Sequence, residues 1–458
     1  MKRTLFLLFL LTLPFLATAQ SDDDLFGGSD DALFGADDDL FGDDSISEVA
    51  DVSAKSDLSK GVIFDTGSIK IGGSLSAGLT TNTILYSPDD DKDDFGENVK
   101  NTTLSPDLSA MLSVDARPTE TLRIYTKFGF AYPFEDTTSI AYKLSESQEP
   151  QMDFSVNNWF KLKELFTDFS YKDTAFFRFG IHTVTWGAGY FFSPVSDMIN
   201  SSSIDPEHPE KQVDGSLNLR TQVIIPNSQN CLWFYVIPST NFQNQTAQTY
   251  ARDTALAAKA DILVGNWELG LGGLYKYESA PKAMLTATGS LKKMSFFGEF
   301  VYSYGAVSEW AKNTDWDDKT SIFQATAGFS YYWKEQKINL AAQYLFEGND
   351  KDFAKKITQY GHNVAVMASK GDLFKNSDLS LNLFAMANFG RKDVPVELEE
   401  LAEQISTFAP ALTASLTLNY TPFNEVSFGI GPVLTFKDYE TKPTTSLKFT
   451  ATLGGGKF

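Results

Sequence analysis

The chain has 458 residues, a formal net charge of −21, one cysteine (Cys231) and three histidines. A single cysteine excludes an intrachain disulfide scaffold, and the sparse His and Cys offer no zinc-type ligand spacing. The negative charge argues against nucleic acid as a partner, while 38 Phe and 18 Tyr without long apolar runs point to β-structure with wet and greasy faces.

The first element is MKRTLFLLFLLTLPFLATAQ. Lys2 and Arg3 precede an apolar run from Leu5 to Phe15, and Ala17-Thr18-Ala19 supplies small side chains before Gln20. This is the pattern of a cleavable signal peptide over residues 1–19. The run falls short of the ~20 residues a spanning helix needs. Losing Lys2 and Arg3 takes the formal charge from −21 to −23.

An acidic leader follows over residues 20–67. It says one phrase three times: Leu25-Phe26-Gly27, Leu33-Phe34-Gly35 and Leu40-Phe41-Gly42, each after Asp-rich sequence. Twelve carboxylates follow Gln20 before the first base, Lys55. Like charges at this density repel, and the few Leu-Phe pairs bury too little area to offset ordering entropy, so the leader is expected to be a disordered periplasmic segment. Three roles stay open for it. It is a solubilising tail, a set of Leu-Phe stickers for a periplasmic protein, or a plug folding back into a pore. Its carboxylates allow loose Ca²⁺ binding, but no ordered calcium loop is present and no cofactor is expected.

From residue 68 to 458 the pattern has period two. In LRIYTKFGFAY, Leu122, Ile124, Phe128 and Phe130 share one face, and Arg123, Tyr125, Lys127 and Gly129 share the other. INLAAQYLF and LTASLTLNY repeat the habit, and the non-apolar face is rich in Ser, Thr, Asn, Gln and Gly. Aromatics gather at segment ends (Tyr275, Tyr277, Tyr331 to Trp333), and short polar turns alternate with long acidic loops. These features predict an all-β fold, a transmembrane antiparallel β-barrel closed on itself so that no backbone group goes unpaired in lipid. Eighteen segments can be placed between 68–79 and 444–454; with some merging, roughly 16 strands are expected, with 14 or 18 as alternatives. A short amphipathic helix is expected over 395–406 through Leu398, Leu401 and Ile405.

The stretch FFRFGIHTVTWGAGYFFSPVSDMIN carries Arg178, Gly180, Trp186, Gly187, Phe192, Pro194, Asp197 and Asn200. In this order they resemble the R-x-G…W-G…F-x-P-x-x-D-x-x-N segment of bacterial outer-membrane porin-like barrels. The resemblance covers about 60 residues of the chain and implies a pore whose segment 187–212 folds inward. The terminal Phe458 resembles the ending of chains handled by the outer-membrane barrel assembly machinery, and so implies that partner. The outward phase of Leu447, Phe449, Ala451 and Leu453 reaches Phe458 only with a slip at Gly454-Gly455-Gly456.

With Phe177, Phe179 and Ile181 facing lipid, Arg178, His182 and Trp186 point inward, and the same count turns Arg123, Lys127, Glu164, Asp168 and Arg220 inward. A lipid-facing Arg or Lys costs roughly 2–4 kcal/mol at mid-bilayer, so a shared inward phase is coherent. Two readings stay open. The charges form an eyelet, with Arg123, Lys127, Arg178 and Arg220 facing Glu164 and Asp168 across the pore, or they are salt bridges bracing the wall. His182 is expected to be a hydrogen-bonded wall residue, and Trp186 to anchor the infolded segment. No nucleophile–base signature appears, so an enzyme is not expected. The functional expectation is an outer-membrane channel for passive diffusion of small hydrophilic solutes or ions. The alternatives are a transporter of hydrophobic substrates with the leader as hatch, and a surface adhesin.

Overall fold

Every alternating segment of the body becomes a strand and pairs antiparallel with the next. The computed structural model describes residues 55–57, 62–88, 102–132, 141–144, 150–153, 160–172, 174–200, 203–207, 209, 213–239, 246–306, 309–310, 315–348, 360–391, 410–423 and 426–453. The signal peptide 1–19, the repeats at Leu25, Phe26, Leu33, Phe34, Leu40 and Phe41, the helix expected over 395–406, and Phe458 lie outside the described residues.

The strands run β1 (Ile69–Tyr86), β2 (Thr103–Thr119), β3 (Leu122–Ala131), β4 (Phe160–Tyr171), β5 (Ala175–His182) and β6 (Ser216–Ile224). Then come β7 (Cys231–Ile237), β8 (Ala255–Val264), β9 (Trp267–Lys276), β10 (Lys282–Leu291), β11 (Met294–Tyr304) and β12 (Ser321–Trp333). The circuit ends with β13 (Ile338–Glu347), β14 (Tyr360–Lys370), β15 (Leu379–Arg391), β16 (Leu412–Phe423), β17 (Val426–Phe436) and β18 (Thr444–Leu453). Strand β18 pairs with β1 from Leu453↔Ala77 to Thr445↔Tyr86, which closes the ring. The ring has 18 strands and not 16. None of the expected segments merges, because each has its own turn and enough residues for its own ladder.

Connections alternate in length. One rim carries connections from two residues (265–266) to eight (371–378). The other carries 132–159, 183–215 and 392–411. The short-connection rim also receives the start of β1 and the end of β18. Next to that seam, part of the leader is ordered, contrary to the expectation for 20–67. Lys55–Asp57 pairs with Val62–Asp65, and Val62–Asp65 pairs with Lys70–Gly72 of β1. The physical reason is an available edge: β18 reaches only Ala77, so the start of β1 has unpaired backbone for another strand to meet. A further hairpin, Ala141–Leu144 with Pro150–Asp153, lies within the 132–159 connection.

The two faces of the ring differ as the alternation demands. Outward rows carry Leu256, Ala258, Ala260 and Ile262 on β8, Leu269 and Leu271 on β9, and Leu285 on β10. Leu271 is 59% and Leu285 50% exposed. Aromatics sit at strand ends: Phe169 stacks on Phe177 at 4.8 Å near the short-connection rim, and Tyr302 lies 5.2 Å from Phe323 near the other. Inward rows are polar or small on the arc β16–β18 and β1–β2, for example Thr417, Asn419, Thr450, Ser76 and Thr80.

Candidate functional site

Strand β5 stops at His182, and the chain that follows lies on inward-facing side chains of the ring. Thr183 Oγ1 donates to the Val213 carbonyl at 2.6 Å, tying the two ends of the connection together. Asn200 folds the segment on itself: its Oδ1 accepts from Val184 N at 2.8 Å and its Nδ2 donates to the Val184 carbonyl at 2.8 Å. Ser196 Oγ accepts from Trp186 N and Gly187 N at 3.2 and 3.1 Å. Ser196–Met198 makes one 3₁₀ turn. The inner segment therefore begins at Thr183 rather than at 187; of its expected remainder, 201–202, 208 and 210–212 lie outside the described residues.

Three wall residues hold it. Glu299 on β11 accepts from Gly189 N at 2.8 Å, Val195 N at 3.0 Å and Ser193 Oγ at 3.0 Å. Gln343 on β13 accepts from Phe191 N at 2.7 Å and donates to the Phe192 carbonyl at 2.6 Å. Lys259 on β8 donates to the Trp186 carbonyl at 2.8 Å and pairs with Asp261 at 2.9 Å. Apolar contacts finish the seat. Trp186, 4% exposed, meets Tyr235 of β7 edge-on at 4.9 Å. Phe191, fully buried, packs against Ala341, Ala365 and Phe384 of β13, β14 and β15. From β5 to β15 is ten strands round the ring, so the segment reaches the wall opposite its origin. Nine extended residues span about 30 Å, enough for that crossing.

The two glycines of the sequence motif have spatial reasons. A Cβ on Gly187 would meet Glu299 Oε1 at 2.0 Å. Gly180 has φ +142°, and a Cβ there would meet the Leu165 carbonyl at 2.1 Å.

The inward charges stand side by side on β2 to β6. Asp168 accepts from Arg178 Nε and Nη2 at 2.6 and 3.0 Å, and Arg123 Nη1 lies 3.7 Å from it. Arg123 Nε donates to Asp115 at 3.0 Å. The Arg178 guanidinium, in a residue only 4% exposed, lies 3.9 Å from the Phe166 ring centroid. Lys127 and Glu164 are register partners, as are Arg178 and Arg220. Arg220 is buried, 5.5 Å from the Trp233 ring. His182 differs from expectation: neither ring nitrogen has a hydrogen-bond partner, and the ring is held by packing edge-on against Phe166 at 5.9 Å. Phe192 packs half-buried against the Phe191–Ala341–Ala365 cluster and Pro194 is buried, whereas Asp197 is exposed. At the far end of the connection, Asp214 pairs with Lys161 and Lys163. Burial alone would raise its carboxyl, but the two ammonium hydrogen bonds outweigh that and hold it below the usual carboxylate range.

Glu299, Gln343 and Lys259 escape sequence reasoning as site residues. Their one signal is a long polar side chain at mid-strand in the inward phase, as in MSFFGEFVYSY, where a carboxylate must find donors.

Fold and site together define a closed 18-strand antiparallel barrel whose bore is partly filled by its own chain. No family model matches the chain, and no curated protein matches it. Among solved structures it is similar to the outer membrane protein opdK from Pseudomonas aeruginosa, at 8% identity and TM-score 0.47 over 84% of this chain and 98% of that one. It is also similar to Pseudomonas putida OprB, at 11% identity and TM-score 0.43 over 84% and 94%. A triple mutant of Rhodopseudomonas blastica porin aligns at 8% identity and TM-score 0.39 over 84% and 99%.

Proposed function

We propose that the chain is a bacterial outer-membrane channel through which small hydrophilic solutes or ions diffuse passively, narrowed by the segment that starts at Thr183. The observation that carries this reading is the closed ring with two opposite faces. Its outside exposes rows of Leu, Ile and Phe that water would reject, at roughly 25 cal/mol per Å² of apolar surface. Its inside keeps an arc of Ser, Thr, Asn and Gly. Rings of about 16–18 strands are wide enough to leave an aqueous passage. A bore lined this way suits polar solutes and disfavours the hydrophobic-substrate alternative.

In this reading the two rims face different compartments. The long connections lie outside the cell, and the short turns, with both ends of the barrel, lie in the periplasm. Outer-membrane lipid and the barrel assembly machinery are its partners. Arg178 and Arg220 brace the wall, being buried, and exposed carboxylates of the inner segment, Asp197 among them, are charges a permeant ion meets.

Reversal potentials in a planar bilayer under a salt gradient test this assignment. At pH 9, where the Asp197 carboxyl, raised to about 7 by desolvation, is ionised, Asp197→Asn shifts selectivity toward anions, and Arg178→Ala leaves selectivity unchanged. The opposite pattern returns Arg178 to the passage and overturns the bracing assignment.

A further inference from the structure

Among the described residues, the contacts that seat the inner segment run from Tyr235 of β7 to Phe384 of β15. The next arc of wall, β16–β18 with β1–β2, turns polar or small side chains to the bore. Two neighbouring rows of register partners cross it near mid-strand. In one, Gly431 pairs with Lys448 and Lys448 with Asn82. In the other, Asn419 pairs with Gly429, Gly429 with Thr450, and Thr450 with Thr80. Directly opposed residues of an antiparallel pair share a face, and Leu447 and Phe449 beside Lys448 take the lipid face, so both rows face the bore. Glycine at 429 and 431 leaves a floor without side chains. A Cβ on Gly429 would meet Thr450 Oγ1 at 2.5 Å and Asn419 Oδ1 at 2.7 Å, so a hydroxyl and an amide lean over it from either side.

These groups are distinguished by what they do not bind within the chain. Among the described residues no carboxylate pairs with Lys448, whereas Lys161, Lys163, Lys259 and Lys337 each have one. Asp107, an inward carboxylate of the same arc, is the register partner of Gly78. Gly78 lies four residues along β1 from Asn82, about 13 Å at strand rise, beyond the ~8 Å screening length of physiological salt. Asn82 Oδ1 is buried with no donor, and the side chains of Thr80, Asn419 and Thr450 make no hydrogen bond with a described residue. We propose that this band is a binding station for a polyhydroxylated monocarboxylate, a solute of the sugar-acid kind. Lys448 takes the carboxylate, and Asn82, Thr80, Asn419 and Thr450 exchange hydrogen bonds with the hydroxyl groups. The proposal rests on the channel reading and names the solute class for its passage. A lone ammonium matches one negative charge, whereas a phosphate ester calls for the fork of an arginine, and Arg123, Arg178 and Arg220 stand on β3, β5 and β6. No aromatic side chain belongs to either row, so the band offers an aromatic acid no ring to stack on. One charge with neutral donors and acceptors holds a solute firmly enough to select it and weakly enough to let it leave.

The test is single-channel recording of the purified full chain in a planar bilayer with potassium chloride, adding gluconate, acetate or glucose to one side. The expected result is that gluconate interrupts the current, with dwell times several-fold longer than those of acetate, and that glucose leaves the open level steady. Lys448→Gln removes the gluconate interruptions while channel steps persist, and Lys448→Arg keeps them. Thr450→Val, nearly the same in shape, shortens the gluconate dwell toward that of acetate. Interruptions that survive Lys448→Gln, dwell times equal for gluconate and acetate, or glucose acting as strongly as gluconate overturn the proposal. Steps that gluconate never interrupts in the unsubstituted chain reject the station alone, whereas missing steps in that chain reject the channel reading beneath it.

Discussion

Glu299 concentrates the hold on the inner segment in one carboxylate. Its two oxygens take two backbone N–H groups and one hydroxyl, all from residues 189–195, in a site only 4% exposed. Hydrogen bonds to a charged acceptor contribute about 1.5–3 kcal/mol each, and an amide turned the wrong way would set N–H against N–H. Glu299→Gln therefore weakens the seat by about 3 kcal/mol. The expected readout is increased open-channel current noise with an unchanged barrel melting temperature in detergent. A quiet channel would mean that Gln343 and Lys259 suffice. Arg178 differs in kind, because it acts within the wall. Its removal leaves Asp168 with only the longer 3.7 Å contact to Arg123, so Arg178→Ala lowers barrel stability by about 3 kcal/mol in urea unfolding. A variant as stable as the parent contradicts the bracing role.

The inner segment and the seam hairpin are the two elements that make this ring more than a cylinder. Phe191 is the far anchor of the first; Phe191→Ala removes the ring from its slot at a cost of about 3–5 kcal/mol and frees the segment from β13–β15. Single-channel steps are expected to become larger, and equal steps would mean the segment stays put. The root of the segment carries a pH dependence. Asp214 has a depressed carboxyl value, so its pairing with Lys161 and Lys163 contributes stability above the unfolded Asp value near 3.9. That contribution fades as pH falls through the lower folded value. The noise difference between Asp214→Asn and the parent is thus expected to be constant from pH 8 to about 5 and to shrink only in acid; a difference that vanishes near neutrality contradicts the clamp. Much of this level was legible in the chain. Gly265-Asn266 interrupts two alternating runs, so β8 and β9 fall where periodicity places them. The motif around Trp186 and Asn200 marked the segment that leaves the wall. Its landing points were not legible, because Glu299 and Gln343 share the inward phase with many residues. Phase says which face a side chain takes, not which arc of the ring a crossing loop reaches. The seam hairpin was hidden for a similar reason: its edge exists only because β18 stops at Ala77, and charge density alone spoke for disorder.

At the scale of the molecule, the leader and the barrel can be separated by deletion. A chain lacking residues 20–67 loses the strand that covers the start of β1, so its unfolding free energy in urea should fall modestly, by about 2–3 kcal/mol for a few backbone hydrogen bonds. Its conductance should match that of the parent, whereas larger steps would revive the plug role for the leader. The central claim is a bore open to water inside a shell that meets lipid. Its most direct test is the conductance of the purified chain in a planar lipid bilayer. Discrete steps, linear in voltage and growing in proportion to salt, are the result the account predicts. An electrically silent bilayer, with the protein shown by protease protection to be inserted and folded, would contradict it.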